Sequence, residues 1–283
     1  MTSGAIALRW REPSVLPGFN LALGWTLLCL GSIVLLPLAV LVLRASGIGL
    51  SGFASVLADP RVTSALVLSF GLSLLAALIA SVFGLLVAWV LTRYTFPGRR
   101  LIDAIVDLPF ALPTAVAGIA LAALFAPNGL VGRPLAAIGL EVAYTRAGIL
   151  MAMIFIALPV TVRTVQPLIA EIDPEVEEAA ATLGAGRRQA LRTVVLPPLV
   201  PAVLTGFALA FARCVGEYGS IIFIAGNMPY RTEIAPLLIV IKLSEFDYAG
   251  AAAVATIMLG VSFLSLLAIN LLQAWSRKRF GYV

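Results

Sequence analysis

The sequence predicts an all-α polytopic membrane protein with about six transmembrane helices and both termini in the cytoplasm. Its 283 residues are 61% hydrophobic and 12% charged, and the mean hydropathy is +1.06. A soluble domain cannot hide that much apolar surface, whereas runs of about 20 apolar residues are what a bilayer core requires. The basic residues between those runs are unevenly shared. Arg9, Arg11, Arg93, Arg99, Arg100, Arg163, Arg187, Arg188, Arg192, Arg277, Lys278 and Arg279, twelve of the 19 Lys and Arg, fall on one side of the predicted layout. Arg44, Arg61, Arg133, Arg146, Arg231 and Lys242 fall on the other, and Arg213 lies within a span. Basic excess marks the cytoplasmic side. The net charge of +5 therefore reports topology and gives no ground for a nucleic-acid partner.

Taken in order, residues 1–19 form a short polar start and 19–43 a first span. That apolar run is longer than a signal-peptide core and lacks a clear cleavage site, so it reads as an uncleaved helix. An external loop over 44–62 leads to a second span over 63–91, whose Ser64, Ser69, Gly71, Ser73, Ser81 and Gly84 permit close helix packing. A cytoplasmic turn at Pro97-Gly98 precedes a third span starting near 104. Pro109 and Pro113 predict a kink there. Residues 127–146 read as an external loop and 147–165 as a fourth span containing Pro159. A cytoplasmic loop occupies about 166–197. The fifth span begins at 198 and is clear to 215. The last covers 249–272. Repeats, low-complexity tracts and a separate soluble domain are not apparent, so 1–283 reads as a single transmembrane domain. Cys29 and Cys214 both sit in apolar runs and read as packing residues. With no histidine in the chain, His-based acid–base or metal chemistry is excluded.

The longest polar stretch runs from 178 to 197. Asp173 is placed to cap a helix with Pro174 at its first position, and Glu175, Glu177 and Glu178 suit the positive end of the helix dipole. Val176, Ala179, Ala180 and Leu183 share one small apolar face. Gly184 follows where a left-handed residue ends helices. A second short helix is predicted over 187–195, broken by Pro197, Pro198 and Pro201.

The other informative stretch is 212–250. Arg213 and Glu217, four apart, share a helical face and can pair. Charge at that depth usually faces a bundle interior or a cavity. Gly216, Gly219 and Gly226 loosen the helix, and exposed backbone there is tolerated only beside protein or water. Arg213, Gly216, Glu217, Gly219 and Asn227 are therefore the candidate pathway residues. The competing reading is that the ion pair only staples helices together. Residues 232–248 are amphipathic, with Ile234, Leu237, Leu238 and Ile241 on one stripe and Glu233, Lys242, Glu245 and Asp247 among the polar positions. The stretch is too short and charged for a clean span and reads as a half-inserted or surface gate helix.

Glu178-Ala179-Ala180, then Gly184, Val194 and Leu196-Pro197, resemble in every spacing the EAA loop of ATP-binding-cassette importer permeases. That resemblance implies the type I permease fold, with Glu178, Ala179, Ala180, Gly184, Leu196 and Pro197 coupling the chain to a cytoplasmic ATPase. The segments LTRYTFPGRRLIDAIVDLPFALPTAVAG, VRTVQP, EVEEAAATLGA and GEYGSIIFIAGNMPYRTEIAPLLIVIKLSEFDYAGA are similar to the T-type (CysT) subfamily of sulfate/thiosulfate permeases. Related molybdate and tungstate permeases share only the shorter patterns and remain the alternative. The resemblance implies a bacterial inner-membrane importer in which a W-type second permease, two ATPase subunits and a periplasmic sulfate-binding protein are partners. It also implies that ATP and magnesium belong to the ATPase. In agreement, the only lysines, Lys242 and Lys278, do not follow glycine, and no phosphate loop is present. The chain is expected to be non-catalytic and to bind no cofactor itself. An ion-coupled secondary transporter would also fit six spans and one ion pair. A membrane enzyme fits less well, for want of a nucleophile constellation or paired carboxylates within a span.

Overall fold

The computed structural model describes residues 18–280. Arg9 and Arg11, and the side chains of Arg277, Lys278 and Arg279, lie outside the described set. Every regular element among the described residues is helical. Among the described residues, five helices are long and apolar enough to cross a membrane, and a bent helix pair makes a sixth crossing if it counts as one.

The first span, Phe19–Ser46, is α1 (Phe19–Cys29), a π-helical stretch Leu30–Leu35, and α2 (Leu36–Ser46). Its apolar surface is hardly covered by the other described residues. The predicted external loop over 44–62 is instead mostly helical, as α3 (Gly49–Ala58). Pro60 drives Asp59 to an extended ψ of 117°, which ends α3. Asp59 then caps α4 (Pro60–Arg93) by accepting from the Arg61 amide at 2.8 Å.

The third span is not merely kinked. α5 (Arg99–Ala111) and α6 (Thr114–Phe125) meet at 114°. Pro113 forces Leu112 to ψ 134°, and Pro113 itself is extended at ψ 132°. Two extended residues in a row end the helix rather than bend it. α7 (Gly132–Ala137) adds a short turn to the next loop, and α8 (Arg146–Glu171) carries Pro159 and Pro167 inside.

Beyond α8 come α9 (Pro174–Thr182) and α10 (Arg187–Ala190). The prolines after α10 do not break the chain into a second short helix. A π-helical stretch Leu191–Val195 joins α10 to α11 (Leu196–Val215), and 187–215 run as one long helix. The Leu196 amide reaches back five residues to the Leu191 carbonyl. That wider turn relieves the clash between a proline ring and the carbonyl four residues earlier. The first span uses the same device, with the Leu36 amide bonded to Gly31 ahead of Pro37.

After α12 (Ile221–Ile224) the predicted 232–248 helix is shorter, as α13 (Ala235–Ser244), and α14 (Tyr248–Phe280) closes the fold. The core is the three-way packing of α4, α8 and α11. Along α4 the buried positions Ser69, Ser73, Ala77, Ala80, Gly84 and Ala88 are all small, so neighbouring backbones approach closely. The fully buried Thr161 wedges its methyl against Gly84 and Gly206, where an added Cβ would lie 2.8 and 3.3 Å from Thr161 Cγ2.

Candidate functional site

The 174–197 region is built as its residues dictate. Asp173 caps α9 by accepting from the Glu175 amide at 3.0 Å. The helix ends in paired return bonds, Gly184 to the Ala181 carbonyl and Ala185 to the Ala180 carbonyl, both 3.0 Å. Gly184 has φ +84°, the left-handed value such an ending needs. The predicted apolar face divides. Ala180 turns into the protein, whereas Val176, Ala179 and Leu183 are exposed, Leu183 at 87%. Glu178 is exposed beside them, and Leu196 and Pro197 are half-buried at the start of α11. The result is an uncovered surface of small and aliphatic side chains held out from the spans.

An ion pair ties that surface to the bundle. Arg93, the last residue of α4, donates to Glu177 of α9 at 2.9 Å and lies 5.3 Å from the Trp89 ring centre. Nearby, Arg163 of α8 takes both Asp103 and Asp107 of α5 at 2.7 and 2.6 Å, and also bonds Gln166. These links are not evident from the sequence, in which Arg93 and Arg163 serve only as topological markers. The i, i+4 spacing of Asp103 and Asp107 is the one local signal for them.

At the candidate pathway corner, α11 stops at Val215 and the chain turns at Gly216. Arg213 and Glu217 do pair, at 2.7 Å, although Glu217 lies past the helix end. The Arg213 side chain is 41% exposed and that of Glu217 only 3%. The other carboxylate oxygen of Glu217 accepts from the Ser220 amide and hydroxyl at 3.0 and 3.1 Å. Glu217 thus fastens the corner to the turn that starts α12. Gly219 packs on the Thr114 hydroxyl, and Gly118 of α6 leaves room for Ser220, whose Cα would lie 2.7 Å from an added Cβ. Asn227, left-handed at φ +51°, donates to the Ile222 carbonyl at 2.9 Å. Corner, α6 and α12 form one close-packed unit.

A second clamp is equally hidden from the sequence. Arg61 grips Glu233 with two bonds, Nε at 2.8 Å and Nη2 at 2.7 Å. The Glu233 side chain is only 1% exposed. It is not the solvent-facing polar position that the amphipathic pattern predicts. The Ala235 amide donates to Ser69 at 2.8 Å, fixing the start of α13 on α4. At the other end of α13, Lys242 pairs with Asp247 at 3.0 Å. Asp247 also accepts from the Gly250 amide at 2.8 Å as α14 begins. That amide first, and Lys242 second, hold the Asp247 carboxyl below its ordinary range.

Residues 80–282 match the family of binding-protein-dependent transport system inner membrane components. The chain belongs to that family. As such a component it is a multi-pass, non-catalytic permease subunit. It is 52% identical to the sulfate transport system permease protein CysT of Salmonella typhimurium, over 94% of this chain and 95% of the relative. It is 51% identical to the protein of that name from Escherichia coli over the same shares. With the one from Synechocystis it shares 46%, over 92% of this chain and 91% of the relative. Among solved structures, a bacterial ABC transporter involved in alginate import aligns with TM-score 0.75 at 20% identity, covering 90% of this chain and 94% of that one. An amino acid ABC transporter aligns at 0.54 with 18% identity, over 80% of this chain and 97% of that one. At those identities the likeness establishes the fold, that of an ABC importer type I permease.

Proposed function

We propose that this inner membrane component is the T-type permease of an ATP-driven sulfate and thiosulfate importer in a bacterial inner membrane. The observation that carries the reading is identity of 52% and 51% with sulfate transport permeases, sustained over 94% of the chain. The coupling loop supports it. Val176, Ala179 and Leu183 offer a close-approach surface for an ATPase around Glu178, Ala180 and Gly184. The Arg93–Glu177 pair and the continuous 187–215 helix then carry motion from that surface into α4 and α11. In this scheme two ATPase subunits bind ATP and magnesium, and this chain binds no cofactor. A W-type permease supplies the other half of the pathway, and a periplasmic sulfate-binding protein delivers the anion. Closure of the ATPases opens the Arg213, Gly216, Glu217, Gly219 and Asn227 region outward, and hydrolysis resets it. Few cations lie within the spans. Stripping a divalent oxyanion of water is costly without many donors, so tight capture falls to the binding protein and passage is transient.

The test is radiolabelled sulfate uptake by cells lacking this gene, with and without its restoration. Restored uptake that excess thiosulfate blocks and low molybdate does not is the expected outcome. Unimpaired sulfate uptake in the deletion strain, with molybdate uptake lost, refutes it.

A further inference from the structure

The end of α8 opposite the coupling loop carries a cavity of about 510 Å³ that the coupling scheme does not use. It is lined by Glu141, Tyr144, Thr145, Arg146, Met228, Arg231 and Thr232. Two independent backbone systems build its walls. One is the start of α8, where Thr145 caps the Ala147 amide at 3.2 Å. The positive end of a 26-residue helix therefore borders the cavity. The other is the 228–233 turn, in which the amides of Arg231, Thr232 and Glu233 all converge on the Met228 carbonyl. Arg146 Nε donates to the Arg231 carbonyl at 2.8 Å, and the Tyr144 amide donates to the Ile224 carbonyl at 2.7 Å, so the walls are locked together. Tyr144, on its lining, is held at φ +63°. Backbone strain of this kind collects at ligand-handling sites. No described residue takes the Arg231 guanidinium or the terminal nitrogens of Arg146 in an ion pair, whereas Arg61 nearby is committed to Glu233.

We propose that this cavity is a receiving vestibule in which Arg146 and Arg231 hold an inorganic oxyanion at the external mouth. From there the anion is handed to the adjoining corner at Gly216 to Asn227. The assignment rests on the importer reading above. Two guanidiniums bring more charge than one Glu141 cancels, and planar forks suit tetrahedral oxyanions. A small anion fits better than an acidic side chain of a docking protein. The cations line a concavity, and Arg146 is pinned to the turn rather than projecting from it. Glu141 on the same wall keeps binding weak, as onward passage requires.

The assembled transporter in lipid nanodiscs, treated with phenylglyoxal and read by mass spectrometry, tests this directly. Millimolar inorganic sulfate is expected to slow modification of Arg146 and Arg231 about fivefold or more, as charge-assisted bonds to both would. The exposed Arg44 and Arg133 should react unchanged, and potassium chloride at equal ionic strength should protect none of them. Glu141→Gln should lower the sulfate needed for protection. Equal slowing at all four arginines, or by chloride, overturns the vestibule. In uptake assays Arg231→Gln should cut the maximal rate about tenfold, with Arg231→Lys recovering most of it and docking of the binding protein unchanged. Loss of docking instead assigns the arginines to a protein partner and overturns the proposal. Failure of the unmutated transporter to import sulfate refutes the sulfate reading, while the protection pattern still decides whether the cavity holds an oxyanion.

Discussion

Glu217 shows how much one buried carboxylate does in this bundle. It satisfies the Ser220 amide and hydroxyl and pairs with Arg213. Glu217→Ala strands the buried Ser220 donors, at about 1–3 kcal/mol for each group left unbonded, and should lower the melting temperature of the assembled complex by several degrees. Glu217→Gln keeps an oxygen for Ser220 and should assemble like the parent while altering uptake, if the corner lines the path. Unaltered uptake with full assembly leaves Glu217 a fastener only, and so does loss of assembly by the Gln variant. Asp247 makes a separate, pH-dependent contribution. Its carboxyl is depressed in the fold, by the Gly250 amide and then by Lys242. The stability it adds is therefore present above the ordinary aspartate value of about 3.9 and lost as pH falls through the lower folded value. Asp247→Asn retains a capping oxygen but not the charge. Its melting-temperature deficit against the parent should be steady near neutrality and shrink on acidification below about pH 4. A deficit that stays constant into that range removes the charge from the account. Asp247, directly before the last apolar run, carries a local cap signal, whereas the Arg61–Glu233 clamp is not legible in the sequence. Glu233 sits before an apolar helix and demands a partner, but its partner is 172 positions away, and nothing local names it.

At the scale of elements, signals that act within a few residues read correctly. The Asp173 cap, the Gly184 ending and the Arg213–Glu217 pair all follow from spacing alone. Proline is harder to read, because its effect depends on what precedes it. Pro113 ends α5 since Leu112 and Pro113 are both extended, while Pro197 and Pro198 are absorbed by a π-helical turn. One residue type thus gives a 114° corner in one place and an unbroken helix in another. The proposed coupling loop allows a sharp test of this local logic. Nothing lies within 4 Å of a Cβ added at Gly184, so a substitution there acts through the backbone alone. Alanine in the left-handed region costs about 1–2 kcal/mol and should leave uptake measurable. Gly184→Pro fixes φ near −65° against the observed +84°, which displaces α9 from α10. Insertion and complex formation should survive in that variant while coupled uptake disappears. Full uptake in Gly184→Pro would remove the loop from the coupling path.

On the scale of the whole molecule, apolar run length locates the spans. A bilayer imposes about 20 apolar residues whatever packs beside them. Run length cannot show which spans meet. The central trio of α4, α8 and α11 depends on small residues matched across helices, such as Gly84 and Gly206 about Thr161. The first span remains largely uncovered by the other described residues. Orientation rests on the bias of basic residues and can be tested with little disturbance, because Cys29 and Cys214 are the only cysteines. Leu183, 87% exposed beyond α9, and Leu130, 86% exposed before α7, sit past opposite ends of α8. With both native cysteines replaced by serine and the chain produced without its ATPase, Leu183→Cys should react with an impermeant maleimide only in inside-out vesicles. Leu130→Cys should react only from the periplasmic side of intact spheroplasts. Both substitutions remove exposed side chains, so neither should disturb the fold by more than about 0.5 kcal/mol. Labelling of both from one side would break the six-crossing layout. Labelling of each from the side opposite to that expected would keep the layout and invert it, placing the coupling loop where no cytoplasmic ATPase could reach it.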